Sequence, residues 1–100
     1  MIVTVYRKDG TVVRLNAHFT VKKGLETDRW GTSQKDRFNC IVMGSADLRP
    51  GDRILMGAGP ETVDWESFVP ELAGCYRVEY VQPFFWQGQV HHVEAGGGYD

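Results

Sequence analysis

Three turn dipeptides lay out this chain: Asp9-Gly10, Pro50-Gly51 and Gln87-Gly88 each stand beside runs whose apolar residues alternate. Alternation at period two marks strands, and a chain cut this often by turns leaves little room for long helices. Asp9-Gly10, inside IVTVYRKDGTVVRL, tolerates the positive φ of a tight hairpin turn and predicts two paired strands. In NAHFTVKK, the alternating Ala17, Phe19 and Val21 extend the second strand or start a third. RFNCIVMG places Phe38, Cys40 and Val42 on one face and Ile41 and Met43 on the other, which predicts a central strand covered on both faces. Pro50-Gly51 suits a type II turn, because proline presets φ at the second position and glycine accepts positive φ at the third. A strand over 53–56 follows; then Tyr76, Val78 and Tyr80 alternate, and QVHHVEA makes the last strand.

Three segments depart from this pattern. Residues 24–36, GLETDRWGTSQKD, are polar, follow neither period and read as a long loop around Trp30. TVDWESF spaces Val63, Trp65, Phe68 and Val69 along one face of a short helix, with acidic residues near its N-terminal end and Pro70 limiting it. Gly96, Gly97 and Gly98 predict a flexible tail over 96–100. The expected architecture is one mainly β domain over residues 1–100, a small antiparallel β-barrel or sandwich of 5–7 strands. The single short helix would cover an open end, with Trp65 and Phe68 as its apolar lid.

Composition narrows the setting. One hundred residues, 42% hydrophobic and 24% charged, suffice for a single core. No apolar run nears the ~20 residues that span a bilayer, and residues 1–6 lack a basic segment followed by an apolar one, so an intracellular protein is expected. Cys40 and Cys75 each sit in an apolar stretch and read as buried reduced thiols. Residues 1–50 carry nine Lys and Arg against five Asp and Glu, while residues 51–100 carry two against eight. Interleaved strands would neutralise this asymmetry across the sheet; separated faces would instead favour head-to-tail association.

The segment YVQPFFWQGQVHHVEAGGG holds the densest chemistry. In a regular strand His92 and Glu94 share a face that His91 does not, which cannot gather the three around one ion. Val90 and Val93 are both apolar yet three apart, which predicts a bulge between them that swings both histidines to one side. Even so, HHVE matches no helical H-E-x-x-H or Cys/His spacing, and no metal is expected. No nucleophile elbow, Walker A loop or dinucleotide fingerprint occurs, and Pro60 removes a phosphate-binding N–H from the Gly57–Gly59 segment. Neither a catalytic group nor a cofactor is predicted. Nucleic-acid binding requires aromatic residues interleaved with basic ones, whereas PFFWQGQ has no basic residue and Glu79 and Glu94 lie nearby.

Protein contact remains, and a resemblance points the same way. The order LRPGDRILMGAGPE, FVP, YVQPFFWQGQVHHVEAGG, over residues 47–98, resembles small head-tail connector or minor capsid (neck) proteins of tailed phages and prophages of Gram-positive bacteria. The resemblance implies a β-barrel subunit without cofactor or turnover, working in the host cytoplasm during assembly and then in the virion. Its partners would be portal, neck or tail proteins and further copies of itself in a ring, with no membrane; a small nucleic-acid-binding β-barrel is the alternative. Candidate contact residues are Trp30 with Arg29 and Lys35 in the expected loop, and Phe85 and Trp86 before the Gln87-Gly88 turn. Core packing is expected to take one of Phe84 and Phe85, leaving Trp86 as the better exposed contact.

Overall fold

The computed structural model of the chain describes residues 1–29, 31–34, 36–61, 65 and 75–99, with the backbone alone at 25–28, 32–34 and 99. Among these described residues nine strands follow in order: β1 (Ile2–Tyr6), β2 (Val12–Asn16), β3 (His18–Lys22), β4 (Leu25–Asp28), β5 (Gly31–Gln34), β6 (Arg37–Met43), β7 (Arg53–Met56), β8 (Cys75–Trp86) and β9 (Gln89–Tyr99). Seven of them form one antiparallel sheet in the order β2-β1-β7-β8-β9-β6-β3, and β4 and β5 pair separately. Among the described residues there is no helix; apart from Trp65, the residues of the expected helix lie outside them.

The turns behave as their residues dictate. Gly10 has φ +95° and its N–H donates to the Arg7 carbonyl at 3.0 Å, while Asp9 Oδ1 accepts from the Thr11 N–H. Gly51 has φ +94° and the Asp52 N–H reaches back to the Arg49 carbonyl at 3.1 Å, which closes the Pro50-Gly51 turn. Gln87 and Gly88, at φ +50° and +78°, form the two-residue connection of the β8–β9 hairpin.

The sheet is open and coiled, which corrects the closed-barrel expectation. β2 and β3 occupy opposite edges although only Ala17 separates them in sequence. Two residues flanking a single residue lie within about 7.6 Å. The edges must therefore converge at Ala17, whose N–H donates to the Met1 carbonyl at 2.8 Å, but no β2–β3 ladder closes the seam. The concave side holds the core. Val3, Val5, Phe38, Cys40, Ile54 and Val78 are buried there, and Phe19 stacks on Phe38 with ring centroids 5.3 Å apart and Tyr76 tilted against both. Both cysteines are buried thiols, and burial pushes Cys40 up to about 11. Trp65 packs on a smaller cluster with Tyr6 and Cys75, under the Arg53 guanidinium 4.0 Å from its ring.

The charge asymmetry resolves as neutralisation across the sheet. The acidic half supplies the central strands β7, β8 and β9, and the basic half flanks them on both sides. Pairs then cross between halves: Arg7 with Asp52 at 3.2 Å, Arg37 with Glu79 at 2.7 Å, and Arg14 with Glu61 at 4.0 Å. Arg7 and Asp52 are the buried members of a small network. Arg7 also pairs with Asp47 Oδ2 at 2.9 Å and donates to the Asp47 carbonyl, while Asp52 accepts from the Arg49 N–H at 3.0 Å.

Two further expectations are corrected. Residues 24–36 are not a loop: β4 and β5 pair from Leu25↔Gln34 to Asp28↔Gly31, continuing the β3–β6 ladder outward from Lys22↔Arg37. The segment's polar sequence shows no apolar alternation, so periodicity could not reveal the pair. The three glycines are not a flexible tail. Gly96, Gly97 and Gly98 are buried inside β9 and pair with Asn39, Phe38 and Arg37 on one side and with Tyr80, Val78 and Arg77 on the other. A Cβ on Gly97 would overlap the Arg77 carbonyl oxygen, and one on Gly96 would press on the Tyr80 ring at 2.5 Å. The glycines are there because β8 bulges at Glu79 and brings its backbone and Tyr80 down onto β9.

Candidate interaction surface

The longest strands build the site. β7 pairs with β8 only from Cys75 to Arg77, and β6 reaches β9 only as far as His92. Beyond these points β8 and β9 run on together to the Gln87-Gly88 turn as a projecting hairpin arm, within a molecule measuring 50 × 29 × 21 Å. Among the described residues no strand pairs with the outer edge of β8 past Arg77. The bulge at Glu79 and the proline at 83 blunt that edge, since both spoil a regular row of donors. The arm therefore offers side chains to a partner in place of a ladder.

Those side chains are aromatic. Phe84 is 40% exposed, Phe85 65% and Trp86 67%. The expectation that one of the two phenylalanines belongs to the core is corrected. Phe84 stands level with the last β6 pairing, at His92, and Phe85 and Trp86 lie past it, and all three are exposed. The bulge at Glu79 also shifts the alternation, which leaves Tyr80 exposed where Tyr76 and Val78 are buried. Met43, at the end of β6, is 65% exposed, so the expected cover on the second face of that strand is absent at its end.

A second bulge shapes the tip. Phe84 pairs with His92 but Phe85 pairs with Val90, so β9 gains one residue at His91. This is the bulge expected between Val90 and Val93, and it brings the two histidines together. Their rings meet edge to face at 5.2 Å with Nδ1 atoms 2.9 Å apart, and His92 stacks on Phe84 at 4.7 Å and 7°. Phe84, Phe85, Trp86, His91 and His92 line one concavity of about 360 Å³. In the Nδ1 contact one nitrogen donates and the other accepts, the roles following from the tautomers of the two rings. Glu94 approaches the far nitrogen, Nε2 of His92, at 3.8 Å and cannot join an Nδ1 pair. Among the described residues no three His, Cys, Asp or Glu side chains are grouped to hold an ion.

The sequence candidates thus separate. Phe85 and Trp86 stand together at the tip, joined by Phe84, His91 and His92. Arg29 is exposed at the β4–β5 turn, remote in sequence from that cluster, and Trp30 and Lys35 lie outside the described residues. Sequence reasoning missed Met43, whose pairing with His92 carries the exposed surface back to a second concavity of about 500 Å³. This one lies at the open seam and is lined by Met1, Asn16, Ala17, His18, Ile41 and Met43. Nothing in the β6 pattern distinguishes a covered outer face from a bare one. No helix among the described residues is long and apolar enough to cross a membrane. Comparison with protein-family models, with curated proteins and with solved structures returns no match.

Proposed function

We propose that this chain is a non-enzymatic structural subunit of a phage or prophage particle, a head-tail connector or minor capsid protein that assembles through protein contacts. The observation that supports this reading is the arm: three consecutive exposed aromatic residues at the end of a paired hairpin whose residues 80–90 carry no charged side chain. Exposed aromatic clusters are costly in an isolated soluble protein and recur as the anchors of protein interfaces. A ladder-paired arm also presents them with little conformational entropy left to lose on docking. The partners are portal, neck or tail proteins and further copies of the chain in a ring. The absence of charge from residues 80–90 weighs against a phosphate backbone as the ligand, because single strands demand a cationic track beside the stacking rings.

The test is mass spectrometry of gradient-purified particles from a host carrying the gene. The expected result is several copies of the chain per particle, retained after nuclease treatment and high salt. Recovery only in the soluble fraction, or release from particles by nuclease, would contradict the proposal.

A further inference from the structure

The arm tip and the seam concavity lie side by side on one surface. Phe38, Cys40 and Val42 point into the core, so Ile41 and Met43 point outward. The ladders pair Met43 with His92 and His92 with Phe84, which puts the base of the arm on that same outward face. From His92 the hairpin runs three more residues to Gln89, opposite Trp86. At about 3.3 Å per residue the tip stands roughly 10 Å beyond its own seam, held away by its ladder. A molecule cannot fill its own socket with its own tip.

We propose that the occupant of the seam concavity is the arm tip of a second copy, with two arms exchanged reciprocally about a two-fold axis. Three observations carry this. There is room: the concavity measures about 500 Å³, more than a phenylalanine and a tryptophan side chain fill together. The electrostatics are compatible: residues 80–90 carry no charged side chain, no Asp, Glu, Lys or Arg is among the described residues lining the seam, and the Met1 ammonium there already donates to Asn16 Oδ1 at 3.0 Å. The area is sufficient. Phe84, Phe85 and Trp86 with Met1 and Met43 of the socket are 40–67% exposed. At roughly 200 Å² for each large side chain, tip and socket with its remaining lining residues offer on the order of 700–800 Å² per copy, that of a standard interface. One seat alone gives half of that. Because knob and socket lie at the same end on the same face, a two-fold axis fills both at once.

The inference rests on the assembly reading and names one partner of its surface. Sedimentation velocity on the intact chain should give a dimer at micromolar concentration, and Phe85→Ser with Trp86→Ser should raise the dissociation constant at least 100-fold. Met43→Arg should do the same from the socket side. As a geometric check, Trp86→Cys and His18→Cys copies mixed under mild oxidation should form a disulfide-linked heterodimer more readily than either forms homodimers. A monomer at all accessible concentrations, a dimer indifferent to both the tip and Met43, or absence of the mixed crosslink would overturn it. Loss of the tip variants from particles despite a monomeric parent would sink this inference and leave the assembly reading standing. Normal incorporation of tip variants that have lost the dimer would leave this inference standing and remove the tip as the contact that carries particle assembly.

Discussion

Gly97 holds the closest approach in the sheet. Its missing Cβ lets the Arg77 carbonyl and the Glu79 bulge settle against β9, and an alanine there forces two paired backbones apart. Gly97→Ala should cost about 2 kcal/mol or more in urea unfolding, in line with overpacked sites. Gly98→Ala is the matched control: its nearest neighbour would be Glu79 Oε1 at 3.4 Å, an ordinary contact, and it should cost well under 1 kcal/mol. The Arg7 network sets a pH dependence. The hydrogen bond from Arg7 holds the Asp47 carboxyl below its usual range, and the Thr11 contacts do the same for Asp9. A lowered folded value means stability that is complete above about pH 4 and is lost as pH falls through it. Burial pushes Asp52 the other way, so its protonation partly offsets that loss. Stability measured from pH 5 to pH 2 should therefore fall less steeply in Asp47→Asn than in the parent; an unchanged slope would remove Arg7 as the cause.

At the scale of elements, the separately paired β4–β5 hairpin and the β8–β9 arm of the main sheet differ in chemistry. The core strands around the first are anchored by Phe19, Val21 and Phe38. Replacing residues 25–35 by a short Gly-Ser linker should change the melting temperature by no more than about 5 °C, roughly the equivalent of 1 kcal/mol in a domain of this size. The β8–β9 turn carries a mild strain, since Gln87 is the one non-glycine among the described residues at positive φ. Gln87→Asn should stabilise by about 0.5 kcal/mol, because asparagine suits this turn position better. Hairpins and turns were legible in the sequence where a dipeptide such as Asp9-Gly10 or Pro50-Gly51 fixes φ, and strands where one face is buried, as at Phe38, Cys40 and Val42. The β4–β5 pair was not, because LETDRWGTSQ carries no apolar alternation to mark a strand. The glycine strand was not, because a run of glycines reads alike whether it is loose or pressed against a bulge 17 residues away at Glu79.

For the whole molecule, the open seam and the projecting arm are features of topology. The bulge at His91 could be read from Val90 and Val93, and the aromatic run was visible as a contact candidate. The exposure of Phe84 follows only from where β6 and β7 stop, and the socket only from the way β2 and β3 converge at Ala17. Core and tip should respond oppositely to mutation. Phe38→Ala empties a stacked, buried site and should cost about 3–4 kcal/mol, enough to unfold much of a marginal domain. The claim that the aromatic tip serves assembly and not folding is tested most directly by Phe85→Ser with Trp86→Ser in the intact chain, assayed for melting temperature and for incorporation into purified particles. The account predicts a melting temperature within about 3 °C of the parent and incorporation reduced at least tenfold; normal incorporation would contradict it.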